Sequence, residues 1–263
     1  MRILLVRHGE SEGNVDFKKY IEKGDSKVGL TADGWAQVIG TGKFLGNFYA
    51  SHNITKWPTL FLSPYQRTRE TLSGIIHGMN GALQGQPKLY EDWRLTEKFF
   101  GAASLLELPH PDMDPKVIST LKQMSEMIYR NDNLSAKNIF GESTKETRAM
   151  VKSLIDGTLR RDIDAGKDEF LFVVHGAIIQ AFIMNWLHIR IEDKNKIGQA
   201  CGLKGNPNNG DVIEISGHTG NWRARKIWDG VGAVPMNVDM VEGLQPFSCA
   251  DLPPVPDFMK REP

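Results

Sequence analysis

Two short runs constrain this chain more than any other feature. Residues 3–6 (Ile-Leu-Leu-Val) and 170–174 (Phe-Leu-Phe-Val-Val) are apolar at every position. Each ends beside a His-Gly pair, in Val6-Arg7-His8-Gly9 and Val174-His175-Gly176. A strand apolar on both faces belongs in the middle of a sheet with helices on either side, the setting of central parallel strands. Residues 59–62 (Thr-Leu-Phe-Leu) form a third such run. Residues 211–215 and 222–227 alternate in polarity around a turn at 218–221 and predict an antiparallel hairpin at one sheet edge. Helical signals fall between the strands. Thr31 caps a helix to about residue 49, and Ser63-Pro64 supplies an N-cap and a first-turn proline for a helix to about residue 77. Ser143 and Glu146 form a capping box ahead of an amphipathic stretch to about residue 165. Residues 177–187 are apolar nearly all round and predict a buried helix. The alternation predicts an α/β fold: a three-layer αβα sandwich with a mostly parallel central sheet and an antiparallel edge hairpin.

Composition narrows the partners. Lys plus Arg equal Asp plus Glu at 32 each among 263 residues. That balance supplies no basic field for nucleic acid or a membrane surface, so an anion site must be a local concentration of cations. Cys201 and Cys249 have no CxxC spacing, which argues against a disulfide framework or a thiolate metal site. No window holds the roughly 18 apolar residues of a membrane span, and the opening run is too short for a signal segment. The expectation is a cytoplasmic protein. Residues 1–228 are expected to form one domain, with 102–141 (Pro109, Pro111, Pro115 and a helix over 115–129) as an excursion across the site's mouth. The last 35 residues carry six of the 13 prolines and predict an extended tail over 229–263.

Ligands of open parallel sheets bind at the carboxyl ends of the strands, where His8 and His175 both fall. Arg67 lies one turn into the helix after the 59–62 strand and can reach the same edge; its plain alternative is a surface pair with Glu70. Arg7, His8, Arg67 and His175 together repel one another unless a dianion sits among them, and phosphate fits that demand. Histidine and carboxylate also ligate metals, but no HxxxH, HExxH or paired-carboxylate spacing surrounds either histidine, and two arginines would repel a cation. No metal or other cofactor is expected.

Five ordered strings carry a resemblance to a known family: residues 5–14 (LVRHGESEGN), 63–71 (SPYQRTRET), 94–101 (RLTEKFFG), 141–143 (GES) and 173–177 (VVHGA). They resemble the histidine phosphatase superfamily, or phosphoglycerate-mutase-like family, over roughly residues 1–216. The resemblance implies that His8 is the transiently phosphorylated nucleophile. It implies that Arg7, Arg67 and His175 grip the phosphoryl oxygens, with Asn14 and Ala177 as further phosphate contacts, and that Glu97 is the proton donor. Glu10 and Glu142 stand in the same motifs without an assigned catalytic part. The implied activity is a metal-independent, histidine-acid-phosphatase-type phosphomonoesterase acting on a small-molecule phosphate ester, with a homodimer as the family habit.

Three other readings compete. A phosphoglycerate mutase needs a second anion site, yet residues 95–129 contain no arginine, and Arg160-Arg161 read as a solvated face. Gly24-Asp-Ser26 with Gly29-Leu30 is similar to a fructose-2,6-bisphosphatase branch. The closer likeness is to broad-specificity phosphatases, shared through residues 7–16 and Trp186-Leu-His188, where Trp186 and His188 read as structural. An inactive phosphate-binding scaffold would have lost the nucleophile, the acid or a pocket arginine, and all are present. Phe99, Phe100 and Tyr129 either line the entrance or pack in the core. Lys18, Lys19 and Lys23 either attract polyanionic substrates or are simply solvated.

Overall fold

The structure is a computed structural model and describes residues 1–101, 113–130, 135, 137, 140–189, 206–218, 221–232 and 256. Its strands are β1 (Arg2–Arg7), β2 (Thr59–Leu62), β3 (Leu89–Glu91), β4 (Glu169–Val174), β5 (Val212–His218) and β6 (Asn221–Trp228), in one sheet ordered β3-β2-β4-β1-β5-β6. β3, β2, β4 and β1 run parallel. β5 pairs antiparallel with β1, and β6 antiparallel with β5. The α/β fold with its edge hairpin is therefore present. β3 shows no apolar run in the sequence, because three residues at a sheet edge are too few to carry one.

The helices are α1 (Glu12–Val15), α2 (Lys19–Glu22), α3 (Ala32–Ser51), α4 (Gln66–Met79), α5 (Pro115–Arg130), α6 (Thr144–Leu154), α7 (Arg160–Asp164) and α8 (Gly176–Trp186). Alternate side chains of the central strands feed two cores. Leu5, Phe61, Phe170 and Phe172 pack with Val151 and Leu154 of α6 and Ile179 and Phe182 of α8. Leu4, Leu60, Leu62 and Leu171 pack with Leu45 of α3 and Leu72 and Ile75 of α4 on the other face. That arrangement is the three-layer sandwich. No helix among the described residues is long and apolar enough to cross a membrane.

Most helix starts follow the sequence. Thr31 Oγ1 accepts from Gly34 N at 2.9 Å, and Ser143 and Glu146 close their capping box. The stretch expected to reach residue 165 is α6 and α7 joined through a π turn, Ile155–Leu159. The Ser63-Pro64 start is a correction: α4 begins at Gln66 behind Tyr65. Ser63 is still tied to the sheet, its N donating to Val173 O at 3.2 Å, so its hydroxyl is free for another partner. Beyond the expected boundary at 228, Gly230 N donates to Asp211 Oδ1 at 3.0 Å. The tail from 233 (apart from 256), most of the 102–141 excursion outside α5, Cys201, Cys249 and the Tyr129 side chain lie outside the described residues.

α3 and α4 touch backbone to backbone. A Cβ on Gly78 would stand 2.2 Å from Ile39 O, and one on Gly42 2.3 Å from Ile75 O. Because α4 carries Arg67, this contact also sets the site. Gly78→Ala should cost roughly 1–3 kcal/mol in urea unfolding, the usual penalty of overpacking. Gly157→Ala, with nothing within 4 Å of the added methyl, should be neutral or stabilising. Equal stabilities for the two variants would count against this account of the α3–α4 contact.

Candidate active site

The β1–β4 register pairs Arg7 with Val174. The next residue of each strand therefore leaves the sheet beside its neighbour, and those residues are His8 and His175. His8 N donates to Val174 O at 3.0 Å. The two rings lie edge to face with centroids 5.2 Å apart. Both histidines are buried. Gly9 is required by space, since a Cβ there would meet Gly34 O at 2.7 Å. Gly176 is not: its added Cβ would be 3.6 Å from Arg7 Nε, an ordinary contact.

Arg67 reaches the same edge from the first turn of α4 and is buried. Its Nη1 donates to Asp25 Oδ1 at 2.8 Å and to Asp25 O at 2.7 Å, between the rings of Tyr65 and Tyr20. The alternative pairing with Glu70 is not formed; Glu70 accepts from Leu30 N and Gln66 Nε2 instead. Arg7 donates through Nη1 to Pro207 O. Glu97 follows a 3-10 turn, Trp93–Leu95, that Arg94 braces through Asp92 and Thr158 Oγ1. Glu97 Oε2 stands 4.0 Å from His175 Nδ1, and Oε1 accepts from Lys98 N at 2.9 Å.

Hydrogen bonds set the tautomers. His8 Nδ1 is 2.8 Å from Gly9 O. A carbonyl can only accept, so Nδ1 carries the proton and Nε2 keeps its lone pair. Ser63 Oγ lies 2.8 Å from His175 Nε2; with Ser63 donating, the His175 proton sits on Nδ1. Burial pushes the pKa of both imidazoles well below the usual histidine range, and Arg67 and Arg7 push the same way. Burial raises Glu97, against the pull of Arg67 and Arg7. Arg7 Nε, Arg67 Nε and His175 Nδ1 are buried with no hydrogen-bond partner among the described residues.

The structure thus brings Arg7, His8, Arg67, Glu97 and His175 together. Ala177 lies in the first turn of α8, where backbone N–H groups lack helical acceptors. Asn14 is exposed; its Oδ1 accepts from Ser11 N, Ser11 Oγ and Asn209 Nδ2, which leaves Nδ2 as its donor. Asn209, Ser63 and Asp25 were missed in the sequence. Asn209 Nδ2 donates to His8 O at 3.0 Å and Gly9 O at 3.2 Å, bracing the His8 backbone across about 200 residues. The Pro207-Asn-Asn-Gly210 turn was its only visible signal. Phe99 and Phe100 are 52% and 37% exposed, so neither is core packing. Trp186 stacks on Phe182, as a structural residue does. His8, Glu97 and His175 each offer a ligand atom within 4.8 Å of the others, a spacing that would suit a metal ion. The adjoining guanidiniums make that volume hospitable to an anion rather than a cation.

A sequence profile described as histidine phosphatase superfamily, branch 1, matches residues 3–229. Phosphoglycerate mutase-like protein AT74 of Arabidopsis thaliana is 30% identical over 221 residues, covering 80% of this chain and 63% of the relative. Protein AT74H of the same plant is 28% identical over 198 residues, covering 70% and 65%. The chain spans less than two thirds of the length of these two curated relatives. Among solved structures, alpha-ribazole phosphatase from Shigella flexneri superposes with a TM-score of 0.61 at 18% identity, covering 86% of this chain and 95% of its own. A mycobacterial glucosyl-3-phosphoglycerate phosphatase in complex with VO3 gives 0.58 at 19% identity, covering 87% and 98%. At such identities the likeness concerns the fold.

The lowered histidine pKa values have a consequence for stability. Below about pH 6.5 the unfolded chain protonates His8 and His175 while the folded chain keeps them neutral, so acidification favours unfolding. In phosphate-free buffer the wild type should lose up to roughly 1.4 kcal/mol per pH unit more than His175→Asn as pH falls from 6.5. Parallel stability–pH curves from chemical denaturation would contradict neutral, buried histidines.

Proposed function

Since the chain belongs to the histidine phosphatase superfamily, we propose that it hydrolyses small phosphomonoesters through a phosphohistidine on His8. The observation that carries this reading is the set of three buried, unpartnered donors around that imidazole. Each costs about 1–3 kcal/mol while unpaired. A tetrahedral anion would satisfy all three, with the Ala177 amide and Asn14 Nδ2 as further donors.

His8 Nε2 attacks phosphorus in line while Gly9 O holds the Nδ1 proton. Arg7, Arg67 and His175 Nδ1–H stabilise the equatorial oxygens, each fixed donor being worth on the order of 10²–10³ in rate. Glu97, kept protonated more readily by burial, gives its proton to the departing alkoxide. The resulting carboxylate then takes a proton from the water that attacks phosphohistidine, returning His8 and inorganic phosphate. Protein donors supply every charge the transfer requires, so no metal enters the scheme. Mutase activity is the second reading, favoured by the names of the plant relatives. Against it, Lys19 and Lys23 are ion-paired with Glu22 and Glu12 rather than poised for a second anion.

The test is turnover of phosphomonoesters in EDTA. Wild type should hydrolyse para-nitrophenyl phosphate with chelator present, and His8→Ala should show none. Glu97→Gln should slow an alkyl phosphate by roughly 10²-fold and para-nitrophenyl phosphate far less, because nitrophenolate hardly needs a proton. Equal losses on both esters would remove Glu97 as the acid, and a fully active His8→Ala would remove the mechanism.

A further inference from the structure

His8 and His175 leave one sheet edge as the same kind of side chain, yet phosphoryl transfer asks opposite things of them. One must present a lone pair to phosphorus, the other an N–H to its oxygens. For His8 the choice is made by Gly9 O, which can only accept. At His175 the partner is a hydroxyl, which can donate or accept, so the surroundings of that hydroxyl decide.

The sheet sets the hydroxyl in place. β2 and β4 pair with Leu62 opposite Val173, so Ser63 leaves β2 next to the end of β4. Ser63 N donates to Val173 O at 3.2 Å, and Ser63 O accepts from Thr68 Oγ1 at 2.8 Å. Ser63 and His175 are both fully buried. The His175 ring stands edge to face with the rings of His8 and Tyr65, each centroid 5.2 Å away. Its Nε2 meets Ser63 Oγ at 2.8 Å, and its Nδ1 has no hydrogen-bond partner among the described residues.

Two arrangements would satisfy the 2.8 Å contact. If Nε2–H donated, the Ser63 hydrogen would be buried without an acceptor, because among the described residues Oγ bonds only to Nε2. A buried donor left unpaired loses its hydration with no bond in return. The same arrangement would leave a lone pair on Nδ1, which lies 4.0 Å from Glu97 Oε2. That lone pair would repel the carboxyl oxygen and any phosphoryl oxygen brought beside it. If Ser63 donates instead, its hydrogen is used and Nδ1 carries the proton, ready for an anion.

We propose that Ser63 is a positioning residue: its hydroxyl donates to Nε2 and so holds His175 as the Nδ1–H tautomer that binds a phosphoryl oxygen. This inference rests on the phosphatase reading and gives Ser63 a part in it that acts through His175 alone.

Heteronuclear NMR of protein labelled at histidine nitrogen reads the tautomer directly, at a pH about one unit above the usual histidine range. His175→Ala identifies the signal. Wild type should show a protonated Nδ1 and an unprotonated Nε2 at His175, and Ser63→Ala should populate the Nε2–H form. Turnover gives a second readout. Ser63→Ala should lower kcat on the order of tenfold or more, since one fixed donor is worth roughly 10²–10³ in rate. The loss should be alike for an alkyl phosphate and para-nitrophenyl phosphate, unlike that of Glu97→Gln. It should vanish in a His175→Ala background, where the ring it acts through is gone. Ser63→Thr keeps the hydroxyl and should recover most of the turnover. Should a Ser63 variant fail to fold, the wild-type spectrum decides. An Nε2–H tautomer at His175 in the wild type overturns the proposal. So does a Ser63→Ala loss that persists undiminished without His175, the mark of a merely structural serine. A wild type that cleaves no phosphate ester overturns the phosphatase reading itself, and the spectrum reports the tautomer separately.

Discussion

When two parallel strands pair in register, the residues that follow them leave the sheet together. β1 and β4 do so with Arg7 opposite Val174, and two imidazoles emerge at one edge. That pairing sets His8 and His175, 167 positions apart in sequence, at a ring separation of 5.2 Å. The pairing depends in turn on runs apolar on both faces, because a strand with one polar face would lie at the margin of the sheet. Slipping either strand by one residue would move every core side chain to the opposite face and part the histidines at once. Fold and site therefore share one constraint.

The electrostatic state of the site follows from that burial. Arginine stays charged in any setting a protein offers, so the two guanidiniums are fixed cations and the titratable groups must adjust to them. His8 and His175 respond by favouring the neutral imidazole, the state that the proposed nucleophile and donor require. Glu97 experiences the same cations with the opposite sign, yet burial prevails and raises it. One environment thus shifts His8 down and Glu97 up, favouring the neutral form of each, the pattern that the proposed nucleophile and acid require.

Sequence showed what is local or buried on both sides. β1, β2 and β4 were legible as apolar runs, and the Thr31 and Ser143 caps as local hydrogen-bonding patterns. β3 was not, because Leu89-Tyr-Glu91 packs only in part and is too short to show a period. Ser63 was misread because Ser-Pro is a strong local signal for a helix start, while its actual partner, His175, lies 112 positions away. Arg67 was offered the near neighbour Glu70 by helical spacing, but the fold supplied Asp25 from a different loop. Asn209 failed for the same reason, since its hydrogen bonds span about 200 residues. Arg7, His8, Arg67 and His175 converge because each was tied to a strand end or to the turn after one, where the topology leaves little choice of direction, whereas Glu97 was legible only through the family resemblance.

The distribution of charge bears on why such a pocket would hydrolyse rather than isomerise. A mutase must release a bisphosphorylated intermediate from its nucleophile and accept it again end for end, so both ends of the ligand need cations. Here Arg7 and Arg67 supply guanidiniums beside His8, while Lys19 and Lys23 of the neighbouring segment are ion-paired with Glu22 and Glu12. On the phosphatase reading, cations gathered at one end of the ligand hold the ester in one orientation and leave water as the acceptor.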